Sequence, residues 1–144
     1  MASAVDVARY ILQKTGPISA MKLQKLVYYS QAWALVWDDE PIFDEEIEAW
    51  ANGPVVRKLY ETHREMFTVT PNTYANGNPS HIKDKHKETI DIVIKEFGGK
   101  SAQWLSDQTH SERPWRDARK GLDDSNRGSK TISQEAMAEY YGSL

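Results

Sequence analysis

Four histidines, His63, His81, His86 and His110, are the side chains of this 144-residue chain best suited to proton transfer or metal binding, and their spacing decides what they can do. Ligands on one helix face recur at i, i+3 or i+4. His81 and His86 are five apart; His110 has Asp107 three residues before it, but no third ligand is identifiable. A metal centre is therefore not expected. Gly98-Gly99-Lys100-Ser101 has the composition that ends a phosphate-binding loop, whose glycines let backbone N–H groups wrap phosphate. The earlier glycine of that motif falls on Ile94, and a helical pattern precedes it instead of a strand, so the stretch reads as a helix stop followed by a serine cap. No G-x-S-x-G elbow exists, and with 0 cysteines there is no thiolate, disulfide or cysteine nucleophile. The carboxylates between Asp38 and Glu48 read as a solvated face. No catalytic residue, metal or cofactor is expected, and the chain is not read as an enzyme.

Basic residues gather at Lys83, Lys85 and Lys87 and again at Arg113, Arg116, Arg119, Lys120, Arg127 and Lys130. Arginines beside Trp115 suit phosphate contact and base stacking, but Glu112, Asp117, Asp123 and Asp124 dilute them. The whole chain carries a net charge of -3, so nucleic acid is not the expected partner. No apolar run approaches the ~20 residues that span a bilayer, and no leader precedes the first helix, so a cytoplasmic protein without a membrane partner is expected. Segregated acidic and basic stretches fit a protein partner better, because complementary patches set encounter rate and register. Most of the five tryptophans are expected to anchor a core. Trp50 and Trp115 lie beside proline-marked turns and are the candidates for contact hot spots.

These residues need a scaffold. At 40% hydrophobic and 27% charged residues, the chain can bury a core without staples, and its length suits one domain spanning 1–144. Apolar spacing predicts a helix from Val5 to Lys14, stopped by Gly16-Pro17. A second runs from Met21 to about Trp37, capped by Ser19. It is apolar on most sides, with only a narrow polar strip (Lys22, Gln24, Lys25, Gln31), and so belongs in the centre. Ile42-Phe43 and Ile47-Glu48-Ala49 read as short extended pieces or a small hairpin. Pro54 is expected to open a helix reaching about Met66. Thr70 to Ser80 reads as an exposed loop that would tolerate an insertion. Helices follow over Asp84–Phe97, after the Ser101 cap, and around Trp115. Asp123–Lys130 is a polar loop, and Ser133 caps a last helix with Ile132 and Met137 placed as a hydrophobic staple. The expected fold is mainly α: a bundle of about six helices around a central one, with room for one short β-hairpin.

Met21-Lys22-Leu23-Gln24-Lys25-Leu26-Val27-Tyr28-Tyr29-Ser30-Gln31-Ala32-Trp33, Pro41-Ile42-Phe43 through Ala49-Trp50, Gly53-Pro54-Val55-Val56, Leu105-Ser106, Thr109-His110 and Pro114-Trp115 follow one another in the order seen in the Panacea domain. Over about residues 5 to 125 the chain resembles that family, the phage-associated GepA or SocA-like proteins. The resemblance implies an antitoxin that neutralises a cognate protein toxin, encoded by an adjacent gene, through direct binding. Alternatives are a proteolytic adaptor that delivers the bound toxin to a protease, or a DNA-binding regulator. The match starts almost at Met1, so the DNA-binding N-terminal segment of some members is not expected; a homo-oligomer stays open. The resemblance supplies no toxin contacts. The partner-binding candidates, Trp50, Asn52, Arg57, His110, Trp115 and Arg116, are chosen for their chemistry.

Overall fold

The computed structural model describes residues Met1–Leu144. A helix that is apolar on most sides must be covered on most sides. Helix α2 (Ala20–Trp37) is packed against α1 (Ala4–Thr15), α4 (Asp84–Phe97), α5 (Ala102–His110) and α7 (Gln134–Gly142). Thirty buried apolar residues form one cluster around it, among them Leu23, Leu26, Tyr28 and Tyr29. Two short helices, α3 (Arg57–His63) and α6 (Arg113–Ala118), complete the helical part. The expected caps are in place: the hydroxyls of Ser19, Ser101 and Ser133 accept from the amides of Lys22, Trp104 and Ala136. Ile132 and Met137 are both buried beside the last of these caps, as a hydrophobic staple requires.

Two small antiparallel sheets are tied to this frame. Strand β1 (Ile18–Ser19) pairs with β4 (Thr68–Val69), and β2 (Ile47–Trp50) pairs with β3 (Gly53–Val56), Trp50 opposite Gly53. Pro54 thus lies in a strand, and the helix expected from it begins only at Arg57. The hydrogen bonding explains why. The amide of Ala49, the partner of Pro54 in the register, points away from β3 and donates to the Lys130 carbonyl at 2.8 Å. A proline is harmless at such a pair, because no ladder bond needs its missing N–H. Ile42 and Phe43 form no strand; both are held by Gln31, whose Oε1 accepts from the Ile42 amide at 2.8 Å and whose Nε2 donates to the Phe43 carbonyl at 2.8 Å.

The narrow polar strip of α2 also proves different from its sequence appearance, since Gln24, Lys25 and Gln31 are all buried. Each meets a backbone edge that would otherwise lack partners. Beside the middle of α2, Glu112 is buried and accepts from the Tyr29 hydroxyl at 2.8 Å and the Tyr141 hydroxyl at 2.7 Å. Burial pushes its carboxyl above the ordinary range, and the hydroxyls work against that rise.

The stretch from Thr70 to Ser80 is not a loose loop. It forms two 3-10 turns, Pro71–Tyr74 and Pro79–His81, and buries the Tyr74 ring. Arg9 of α1 donates to the carbonyls of Ala75 and Gly77 at 2.8 and 3.0 Å, while Asp6 accepts from the Asn78 amide at 2.7 Å. A Cβ at Gly77 would stand 2.8 Å from the Val5 carbonyl oxygen, so the chain lies directly against the helix. Arg9→Ala is expected to cost about 1–2 kcal/mol. Amide hydrogen exchange should accelerate over residues 71–82 and stay unchanged in α2; uniform exchange would refute the local role of Arg9.

Candidate functional site

The hairpin β2–β3 collects most of the candidate residues and is bordered by three supports. On the outer edge of β3, the Gln24 side chain accepts from the Val56 amide at 2.9 Å and donates to the Val56 carbonyl at 3.2 Å. Lys25 Nζ donates to the Pro54 carbonyl at 3.3 Å. Two consecutive side chains of α2 thereby complete a strand edge. On the other side, Ala49 and Ala51 donate to the carbonyls of Lys130 and Arg127, so the segment after α6 closes the second edge. Arg119 fixes that segment: its two terminal nitrogens donate to the carbonyls of Ala49, Asp123, Asn126 and Arg127 at 2.7–3.2 Å. Arg119 is buried, so it leaves the basic surface group in which its charge alone had placed it. The third support is α5, where the Ser106 hydroxyl donates to the Asn52 carbonyl at 2.6 Å.

Trp50 is buried, 7% exposed, with its ring edge-on to Tyr60 at 4.8 Å and the Arg127 guanidinium 4.4 Å above it. Its indole N–H donates to Glu48, which also pairs with Arg57 at 3.8 Å. His110 and Trp115 stack at 4.0 Å, and the Trp115 indole donates to the Trp50 carbonyl at 2.7 Å. Trp50, Asn52, Arg57, His110 and Trp115 therefore form one connected unit on the hairpin and the α5–α6 corner. Arg116 stands apart, exposed on α6. The large exposed aromatics lie elsewhere: Trp37 is 49% and Trp104 40% exposed, against the expectation that these two anchor the core, while Phe67 is 82% exposed.

Beneath the hairpin lies an open cavity of about 450 Å³ lined by Met21, Gln24, Lys25, Trp50, Asn52, Tyr60, His63, Met66 and Arg127, among others. His63 is buried and meets the Gln24 amide nitrogen at 2.9 Å, which makes Nε2 the acceptor and the ring neutral. Burial, aided by the Lys25 charge, pushes its pKa down, and the same two causes act on His110. Lys25 is fully buried, and that burial lowers its ammonium to about 8.

This last value predicts a pH dependence. The unfolded lysine holds its proton to about 10.4, the folded one only to about 8, so in that window the unfolded state binds more protons and stability rises with pH. The slope approaches about 1.4 kcal/mol per pH unit. Urea melts from pH 7.5 to 9.5 should show the rise in the wild type and a flatter profile in Lys25→Met; parallel profiles would sink the assignment.

Gln24, Lys25, Tyr60, His63 and Arg127 were not singled out as site residues from the sequence. The available signal was the central position of α2: a helix enclosed on all sides must bury its polar strip too, and buried polar groups need partners.

The family model described as "Antitoxin SocA-like, Panacea domain" matches residues 23–116. The chain belongs to this SocA-like Panacea family. The matched span runs from α2 through the hairpin to α6 and so contains Lys25, Trp50, Gly53, Pro54, His110 and Trp115. It is narrower than the stretch over which the sequence resembles the family, and leaves α1, the Arg119–Arg127 brace and α7 outside the matched Panacea span. No curated protein and no solved structure matches the chain. Membership is antitoxin-like in kind. The molecule has no helix long and apolar enough to cross a membrane.

Proposed function

We propose that this protein is the antitoxin of a toxin–antitoxin pair and neutralises its cognate protein toxin by direct binding. The observation that carries this reading is the Panacea match over residues 23–116, which includes the hairpin, its α2 supports and the His110–Trp115 stack. The physical character of that face agrees. Met21 and Met66 are exposed and line the cavity, and the exposed Phe67 follows Met66 in the chain, its carbonyl accepting from the Ala20 amide at 2.8 Å. Apolar side chains around a partly charged centre are the composition of a binding patch. Trp50, Asn52, Arg57, His110, Trp115 and Arg116 are proposed as partner-binding residues. Trp50 and Trp115 would act by holding the hairpin and the α5–α6 corner in place, and Arg57 and Arg116 by touching the partner, since both are exposed.

The test is growth of cells expressing the product of the neighbouring reading frame with and without this protein, followed by tagged co-purification. Rescue with a co-purifying complex is the expected result. Rescue with loss of the toxin would replace direct neutralisation by delivery to a protease, and no rescue would overturn the antitoxin reading. Arg116→Glu should weaken the complex without lowering the melting temperature, and Arg57→Ala should weaken it with at most a small loss of stability from the Glu48 pair.

A further inference from the structure

Three arginines meet at one hollow on the surface beside Tyr60. Arg57 is the first residue of α3, Arg64 follows the last, and Arg127 comes from the segment after α6; together they line a depression of about 210 Å³. All three are exposed. Neither Arg64 nor Arg127 forms an ion pair, and Arg57 reaches only Glu48, at 3.8 Å, whose carboxylate already accepts from the Trp50 indole. The one carboxylate in the lining, Glu61, pairs with none of them. In a chain of net charge -3, such a group of cations lacks a local counter-charge. The Trp50 ring, itself buried, serves as a platform 4.4 Å from the exposed Arg127 guanidinium and so limits its wandering.

Apolar side chains border the arginines. Glu65 has φ +67°, a left-handed conformation that a residue with a side chain adopts at a cost, and the chain turns there. Arg64 before it lines the hollow, Met66 after it lines the larger cavity, and Phe67 next along stands 82% exposed. The two depressions share Trp50, Tyr60 and Arg127, so charged and apolar parts adjoin. Met, Phe and Arg are side chains in which protein interfaces are enriched, whereas Lys is depleted.

We infer that this face, Arg57, Arg64 and Arg127 with Met21, Met66 and Phe67 beside them, receives an acidic segment of the toxin that also carries an apolar anchor. The inference rests on the antitoxin reading and names the partner's chemistry. A nucleic acid fits less well, because the adjoining hollow beyond Arg57 is lined by five carboxylates, Glu48 and Glu61 among them, and repels a long polyanion. A short acidic stretch can end before it.

The experiment is titration of the full chain with the purified product of the neighbouring reading frame, beside the growth rescue. Affinity should fall steadily from about 50 to about 500 mM NaCl. Arg64→Glu should weaken the complex about tenfold or more, Arg127→Gln several-fold and Phe67→Ser about tenfold. Arg64 makes no ion pair, so its reversal should leave the melting temperature unchanged. Changing the partner's acidic residues to lysine one at a time should yield at least one variant that binds the wild type poorly and Arg64→Glu better. Such a charge swap reports direct contact, which a structural role for Arg64 would not produce. Rescue and a complex that are indifferent to salt and to all three substitutions would overturn this inference alone. Neither rescue nor a complex with the wild type would overturn the antitoxin reading and this inference with it. A wild-type dimer that Arg64→Glu dissolves would give the face to a second copy, and DNA binding lost in the same variant would give it to nucleic acid; either would overturn the assignment.

Discussion

Gly53→Ala is expected to destabilise the protein by about 3–5 kcal/mol. Two independent costs add. The backbone at Gly53 has φ +124°, a conformation that side-chain-bearing residues rarely adopt. A Cβ built there would also lie 2.5 Å from Lys25 Cε and 3.1 Å from the Thr109 hydroxyl. Lys25 is buried, and its ammonium donates to the Pro54 carbonyl at 3.3 Å, a bond that a retreat would break. Urea unfolding measures the total, and a double substitution separates its parts. In a Lys25→Ala background the clash with the lysine disappears while the backbone strain and the close Thr109 hydroxyl persist, so Gly53→Ala should cost about 1–3 kcal/mol there. Equal costs in both backgrounds would show that the lysine yields.

Arg119→Ala should cost about 3 kcal/mol, because charge-assisted bonds to four carbonyls vanish together. Its guanidinium also lies 5.6 Å over the Trp115 ring. The damage should be local at first. Exchange of the Ala49 and Ala51 amides, which bond to the segment that Arg119 fixes, should speed up well before α2 or α4 responds. Arg119→Lys should restore little, since one ammonium cannot present the planar fork that reaches four acceptors. A fully stable lysine variant would show that backbone pairing alone holds residues 123–130.

The difference between Arg119 as a charge and Arg119 as a brace also shows where sequence reasoning stopped. Elements whose reasons are local were readable: Asp84–Phe97 has the predicted bounds, and the caps at Ser19, Ser101 and Ser133 sit where their spacing placed them. A proline after a turn fits a first helical position as well as a non-bonded strand pair, and the partner that decides for the strand at Pro54, Lys130, is 76 residues away. The Thr70–Ser80 stretch carries turn residues, but Arg9 and Asp6, which pin it, lie far earlier in the chain. For the site, Trp50, Asn52 and Trp115 were visible as unusual residues at turns. Gln24 and Lys25 were not, because a polar side chain on a helix announces neither burial nor the strand edge it will complete 29 to 32 residues later. Trp37 and Trp104 show the converse: size argued for burial, yet both are exposed.

The position of α7 bears on how the molecule comes into being. Ile132, Met137 and Tyr141 close one flank of the central helix, and Tyr141 supplies a hydroxyl to both Tyr28 and Glu112. Those partners leave the ribosome earlier than the segment that covers them. Until residues 132–141 have emerged, Tyr28 and Glu112 lack the Tyr141 hydroxyl that joins them, so a chain cut short before Ser133 is expected to leave this flank of the central helix unfinished.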